Sequence, residues 1–210
     1  MTEVIPGILE KEWSDIEKKI ELVAPFARTI HIDILDGKFS SNTTWFDPSP
    51  FKKYSDDFFL EVHMMVEEPI QYLKPFAQAG FKRFLAHFEK MSDQVDFVAQ
   101  AQLLGEVGLA IDGGTSLSEI KVPYDDLDCI LIMTIKAGFS GQKFEPKHLE
   151  KVRDLREKTD IPISVDGGIN EKTIIMAKDA GASRFVTTSC LFGNKDIKKQ
   201  YEKLLHLASD

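Results

Sequence analysis

His31 and Asp33 sit two residues apart in TIHIDIL, a run that is otherwise almost wholly apolar. Alternate residues of a strand face the same side, so these two ionisable groups share a face with Leu35. The run FLEVHMM repeats the pattern with Glu61, His63 and Met65, and ISVDGGIN places Asp166 just before two glycines. Burying such groups is costly unless something compensates them. Two imidazoles and two carboxylates offer two forms of compensation. His31, Asp33, His63 and Asp166 could ligate one divalent ion, since imidazole suits Zn, Fe, Co or Mn and carboxylates widen the choice towards harder ions. The same four could instead form a hydrogen-bonded His–Asp cluster.

Other polar residues in similar runs read differently. Asp36 is off the alternating register and precedes Gly37, which suits a residue that shapes a loop. His87, in FLAHFE, reads as a core residue or a support behind the site. His148 and His206 fall on helical segments and read as surface residues. Met64, Met65 and Met133 have core spacing; at the mouth of a site they would form a dry wall that strengthens nearby electrostatics. Three glycine-bearing stretches come late: AGFSGQ, DGGIN and TTSCLFGN. Glycine lets backbone approach a phosphate closely, although ordinary tight turns use the same residues. Lys136 and Lys143 could add charge there or could simply be solvated.

The elements that must position these residues alternate along the chain. Eight short β-rich runs, VIPGIL, TIHIDIL, FFLEVHMMV, RFLAHFE, GEVGLAI, CILIMTI, IPISVDG and RFVTTSC, are separated by roughly eight segments of helical character. Ser14 is a candidate cap for the first helix and Asn170 for a later one, and Gly80 ends another. The connection between the second and third strands and the stretch TSLSEIKVPYDDL are less regular. Strand–helix alternation without a linker suggests parallel βα units. The economical closure is an α/β (β/α)8 TIM barrel forming a single catalytic domain over residues 1–210, with an open doubly wound sheet as the alternative. Barrel sites lie at the C-terminal strand ends, where His31, Asp33, His63 and Asp166 fall.

Composition narrows the function classes. The chain has 210 residues, is 43% hydrophobic and carries a formal charge of −8. Such acidity argues against general nucleic-acid binding, but not against a phosphorylated small molecule, because backbone N–H groups bind phosphate without net positive charge. The opening MTEVIPGILEKEW lacks the basic and apolar regions of a signal peptide, and no apolar run approaches the length of a membrane span. Cys129 and Cys190 lie in apolar strand-like runs and read as buried free thiols in a reducing cytoplasm.

Several of these stretches taken together, HIDILDGKF, EVHMMVEEP, LIMTIKAGFSGQKFEP, ISVDGGIN and TSCLFG, resemble the ribulose-phosphate 3-epimerase family in order and spacing, from IPGIL to LFG. The resemblance implies a (β/α)8 barrel that interconverts D-ribulose 5-phosphate and D-xylulose 5-phosphate with one divalent metal ion per subunit. It makes His31, Asp33, His63 and Asp166 the ligands, and Asp33 and Asp166 also the acid–base pair. Substrate would be met by Gly7, His63, Met65 and Met133, by Gly138, Phe139, Ser140 and Gly141 of a mobile loop, and by Gly167, Gly168, Thr188 and Ser189 around the phosphate. Four positions depart from the family pattern. Gly7 stands in place of serine, Leu35 of methionine, Ala137 of proline and Thr188 of glycine. The Thr188–Ser189 pair is more similar to the allulose-6-phosphate 3-epimerase branch, so a hexulose 6-phosphate is the alternative substrate.

Epimerisation at C3 removes a weakly acidic proton next to a carbonyl and returns one on the opposite face. That needs a carboxylate on each face and a metal-stabilised cis-enediolate between them. A decarboxylase on a similar phosphate-binding barrel would show Asp-x-Lys-x-x-Asp on the third strand, which here reads EVHMMV. A non-catalytic sugar-phosphate-binding barrel would have no need to retain all four ligand positions. A homo-oligomer is expected, and neither nucleic acid nor a membrane is expected as a partner.

Overall fold

Inward and outward positions alternate along every strand, and that alternation builds the molecule. The computed structural model describes residues 2–209. Its strands are β1 (Glu3–Ile8), β2 (Thr29–Leu35), β3 (Phe59–Met65), β4 (Phe81–His87), β5 (Glu106–Ile111), β6 (Cys129–Met133), β7 (Ile163–Asp166) and β8 (Arg184–Thr187). They pair in parallel in chain order and close β8 onto β1. The barrel expected from the alternation is therefore present. Among the described residues seven helices accompany it: α1 (Trp13–Val23), α2 (Leu73–Gln78), α3 (Gln94–Gln102), α4 (Leu149–Arg156), α5 (Thr173–Asp179), α6 (Ser189–Phe192) and α7 (Ile197–Ser209).

Two cores follow from strand parity. Ile30, Ile32, Ile34, Val62 and Met64 point outward and pack under the helices, whereas Ile5, Leu35, Met65, Leu85, Leu131, Met133 and Val186 fill the barrel. Adjacent methionines thus serve different cores. The inner column has a charged foot. Glu61 is fully buried and accepts from Arg83 Nη1 at 2.6 Å and Arg184 Nη2 at 2.5 Å. Arg83 also donates to Glu106, and Arg184 to Glu3 and to Ser164 Oγ. Charges buried this deeply persist only when paired.

The two connections that read as less regular hold no α-helix, and three helices differ from those expected. A 3-10 turn, Ser49–Tyr54, replaces the helix between β2 and β3, and two shorter turns, Leu117–Glu119 and Tyr124–Asp126, do so between β5 and β6. α1 starts at Trp13, with Glu12 rather than Ser14 at the flanking position and no side-chain cap. α3 lies outside the helical segments named from the sequence, although Gln94, Phe97, Val98 and Ala101 are buried at helical spacing and Asp93 caps it by accepting from the backbone of Val95 and Asp96. The eighth strand stops at Thr187 because Ser189–Phe192 coil into α6, so Cys190 is half-buried on a helix while Cys129 is buried in a strand. His148 is not a surface residue: it is 8% exposed, its ring over Gly113, where a Cβ would come within 2.3 Å of Nε2. His206 is exposed as expected.

Candidate active site

Strand register gathers the site. Asp33 pairs with His63, His31 with Glu61, and Met133 with Asp166. One donor atom from each of His31, Asp33, His63 and Asp166 lies within 4.8 Å of the others, and all four residues are buried. His63 Nδ1 is 2.8 Å from Asp33 Oδ1 and 3.8 Å from Asp166 Oδ2. His31 Nδ1 lies 2.7 Å from Glu61 Oε1, and its Nε2 faces Asp33 Oδ1 at 3.3 Å. In the neutral ring that a metal ligand requires, a proton on Nδ1, donated to Glu61, would leave the Nε2 lone pair directed at the cluster.

The two aspartates differ electrostatically. Burial and the neighbouring Asp33 charge push Asp166 up to about 7. Burial acts on Asp33 in the same sense, but His31 and His63 outweigh it and hold that carboxyl well below its usual range. Burial depresses His63 to about 4. For His31 burial is overcome by Asp33 and Glu61, which raise it to about 10.

These four residues fit a divalent cation. Two nitrogens and two carboxylates converge on one point, and His31 Nε2 is buried without a hydrogen-bond partner. A cation there would relieve the repulsion that raises Asp166. The donor set suits Zn, Fe, Mn and Co alike.

Most residues expected to meet substrate line one cavity above the cluster. Asp33, Met65, Met133, Gly138, Phe139, Ser140, Gly141, Asp166, Gly167, Gly168, Thr188 and Ser189 are all on its wall. Gly7, His31 and His63 are not: both histidines are fully buried, and Gly7 lies beneath Thr188. Leu9, Ile135, Ile169 and Val186 complete the wall; they are apolar and carried no chemical signal in the sequence. Lys136 and Lys143 are exposed and off it. Glu61 is the other residue whose part the sequence left unstated, although it shares the alternation of His63 and Met65.

Backbone geometry explains the glycine turns. Gly167 and Gly168 have φ of 110° and 68°. A Cβ on Gly168 would come within 2.9 Å of Phe144 N, and one on Gly167 within 2.4 Å of Ile135 Cγ1. Thr134 holds the turn by donating from N to Asp166 O and from Oγ1 to Gly167 O. Over the cavity, Asn42 Nδ2 donates to Gly138 O at 2.9 Å, and Ala137 N donates to Asp112 Oδ1 at 3.3 Å. A proline at 137 could not make that second bond. Asp36 shapes its loop as expected, accepting from the backbone of Lys38, Phe39 and Glu67. His87 stands behind the site, its ring 5.0 Å from that of His63 and its Nδ1 3.1 Å from Glu89.

Residues 3–192 match the family described as the ribulose-phosphate 3 epimerase family. A ribulose-phosphate 3-epimerase of Bacillus subtilis (strain 168) is 33% identical over 97% of this chain and 98% of its own length. One from Chlamydia muridarum is 35% identical, covering 88% of this chain and 84% of its own. Among solved structures, 3-keto-L-gulonate-6-phosphate decarboxylase from Vibrio cholerae superposes with a TM-score of 0.75 over 99% of this chain and 98% of its own, at 14% identity. At that identity the likeness speaks for the fold alone. No helix among the described residues is long and apolar enough to cross a membrane.

Proposed function

The chain belongs to the ribulose-phosphate 3-epimerase family and is an enzyme of the isomerase class, and from that premise we propose that it is a metal-dependent ketose-phosphate 3-epimerase interconverting D-ribulose 5-phosphate and D-xylulose 5-phosphate. The observation that carries this reading is the pair Asp33 and Asp166. Two strands bring these carboxyls to the same histidine nitrogen, one held ionised and the other raised to about 7. An ionised carboxylate takes a proton and a neutral carboxyl gives one, and Asp166, raised by its burial as well as by Asp33, is the one of the two more disposed to give. Asp33 would remove the C3 proton from one face and Asp166 would deliver one to the other; the reverse reaction exchanges the roles. His31, Asp33, His63 and Asp166 would hold one divalent ion, which when bound supplies Lewis-acid stabilisation of the negative charge developing on the sugar oxygens.

The rest of the wall serves binding. Backbone N–H groups near Gly168 and Ser189 would hold the phosphate, which needs no lysine and accords with the net charge of −8. Phosphate binding remote from C3 supplies energy that positions the reacting carbon. Met65, Met133 and the loop bearing Phe139 would keep water from the reacting centre.

The test is a panel of pentulose 5-phosphates and hexulose 6-phosphates offered to stripped protein reloaded with Zn, Fe, Mn or Co, with metal content measured. We expect turnover of the pentulose phosphates in at least one metal-loaded form, with deuterium from heavy water at C3 of the product. A preference for hexulose phosphates would transfer the reading to the six-carbon alternative. A fully loaded protein that turns over neither class would remove it.

A further inference from the structure

Gly7 and Thr188 meet where β1 closes onto β8. Register pairs Ile5 with Val186 and Pro6 with Thr187. Ile5 and Val186 both fill the barrel, and Leu9 packs against that inner core. By the strand alternation Gly7 and Thr188 are therefore the next inward positions towards the mouth. A Cβ on Gly7 would lie 2.6 Å from Thr188 Oγ1 and 2.8 Å from Val186 Cγ1. The threonine hydroxyl thus occupies the space that a side chain at position 7 would need. Val186 narrows the same space, so position 7 is bare where these two side chains meet.

That hydroxyl is placed for a ligand. Thr188 lines the cavity together with Asp166, Gly168 and Ser189; Val186, two residues before it, pairs with Asp166, and Ser189 follows it. It precedes α6 without capping it through its side chain. Among the described residues no hydrogen bond to Thr188 Oγ1 occurs, although the backbone C=O of Thr188 accepts from Phe192 N.

We propose that Thr188 is a specificity-determining residue whose hydroxyl, admitted by the bare backbone of Gly7, hydrogen-bonds the sugar hydroxyl lying between the reacting carbon and the phosphate. This rests on the epimerase reading. In a pentulose 5-phosphate the reacting carbon is C3 and the phosphate is on C5, so the hydroxyl concerned is the one on C4. Along the chain Thr188 falls between Val186, the strand partner of Asp166, and Ser189, assigned to the phosphate.

Two substitution sets test it on the metal-loaded enzyme, with folding checked by thermal unfolding. Thr188→Val keeps the shape and removes the hydroxyl. Its kcat/KM for D-ribulose 5-phosphate should fall roughly 10- to 30-fold, the scale of one lost neutral hydrogen bond. With the 4-deoxy analogue it should match the wild type. An equal loss on both substrates, or no loss on either, overturns the proposal. The same comparison made as Kd for ribitol 5-phosphate and its 4-deoxy counterpart needs no turnover. A wild type inactive on every ketose phosphate would thus sink the epimerase reading while Thr188 was still decided by binding. Second, Gly7→Ser alone should lower kcat/KM through crowding, and Gly7→Ser with Thr188→Gly should lose less than the product of the two single losses, a coupling expected of groups that share space. Additive losses would overturn the shared-space account.

Discussion

At the N-terminal end of the barrel, Glu61 lies between Arg83 and Arg184, which also reach Glu106 and Glu3. At the other end, Asp33 and Asp166 converge on His63, and among the described residues no lysine or arginine lines the cavity above them. The interior therefore carries charge at both ends, paired at the foot and left in excess at the mouth. His31 joins them, with Nδ1 at Glu61 and Nε2 towards Asp33. Pairing at the foot stabilises the fold. At the mouth Asp33 is held ionised by His31 and His63, while the charged form of Asp166, disfavoured by burial and by Asp33, costs stability and leaves a place where a cation and a proton can act. The difference shows which end the molecule uses for its own cohesion and which for chemistry.

The sharpest way to break this contrast is Asp166→Asn. If the mouth is built for proton transfer, net epimerisation by the metal-loaded variant should fall by about 10²- to 10⁴-fold. Exchange of the C3 proton through Asp33 should survive better than epimerisation. Denaturant unfolding of the metal-free variant should show no loss of stability, because the substitution removes a repulsive carboxyl. Wild-type turnover at full metal occupancy would end the assignment of Asp166.

The foot should answer in the opposite way. Glu61→Ala removes the carboxylate shared by buried Arg184 and half-buried Arg83, leaving them only Glu3, Ser164 and Glu106, and should cost roughly 3 kcal/mol in urea unfolding. It should also free His31 to rotate, weakening metal affinity by about 10- to 100-fold. Glu61→Gln keeps an acceptor for His31 and should lose less of both. A Glu61→Ala protein as stable as wild type would show the foot to be no brace.

Acid and base should separate the two ends by sign. Burial would raise Glu61, but Arg184 and His31 hold it down at about 2, against an ordinary value of 4.5. Its stabilisation is therefore complete above pH 4.5 and is lost as pH falls through about 2. Asp166 rises from 3.8 to about 7. Between those values the folded chain keeps a proton that the unfolded chain has released, so metal-free protein should lose stability as pH rises through this window, on the order of 4 kcal/mol. Thermal unfolding from about pH 4 to 8 measures the decline, and a saturating divalent ion should flatten it. An unchanged slope on adding metal would mean that Asp166 is not where the ion binds.

Much of this was legible in the chain. Eight alternating runs implied the barrel, and the spacing of His31 to Asp33 and Glu61 to His63 put those side chains on the inner face, because period-two alternation is local. The foot was not legible. Arg83 and Arg184 meet Glu61 only after β3, β4 and β8, far apart in the chain, are brought around one axis. The contact between Gly7 and Thr188 likewise needs barrel closure; by sequence each reads as a separate departure. α6 was hidden because the β-branched Thr187 and Thr188 extend the strand character of β8, with no glycine or proline before the chain turns into a helix.

The smallest effect is expected from Leu35→Met. Leu35 is 1% exposed in the inner core, on the same face of β2 as Asp33. It sits beneath the loop over the cavity, where a Cβ on Gly138 would be 3.4 Å from its Cδ2. Its backbone is fixed independently of its side chain: Leu35 N donates to Thr44 Oγ1 and Leu35 O accepts from Thr44 N. Leucine and methionine have similar volume, and the unbranched thioether can follow the existing gap. Neither charge nor hydrogen bonding changes. Stability should therefore shift by less than about 1 kcal/mol, and kcat/KM should stay within about 3-fold, since the substitution touches only the dry wall beside the carboxyls. Unfolding and steady-state kinetics on the same preparation would check both. If Leu35→Met cost more stability than Glu61→Gln, apolar fit at the mouth would outweigh ion pairing at the foot, and the division of labour between the two ends would have to be reversed.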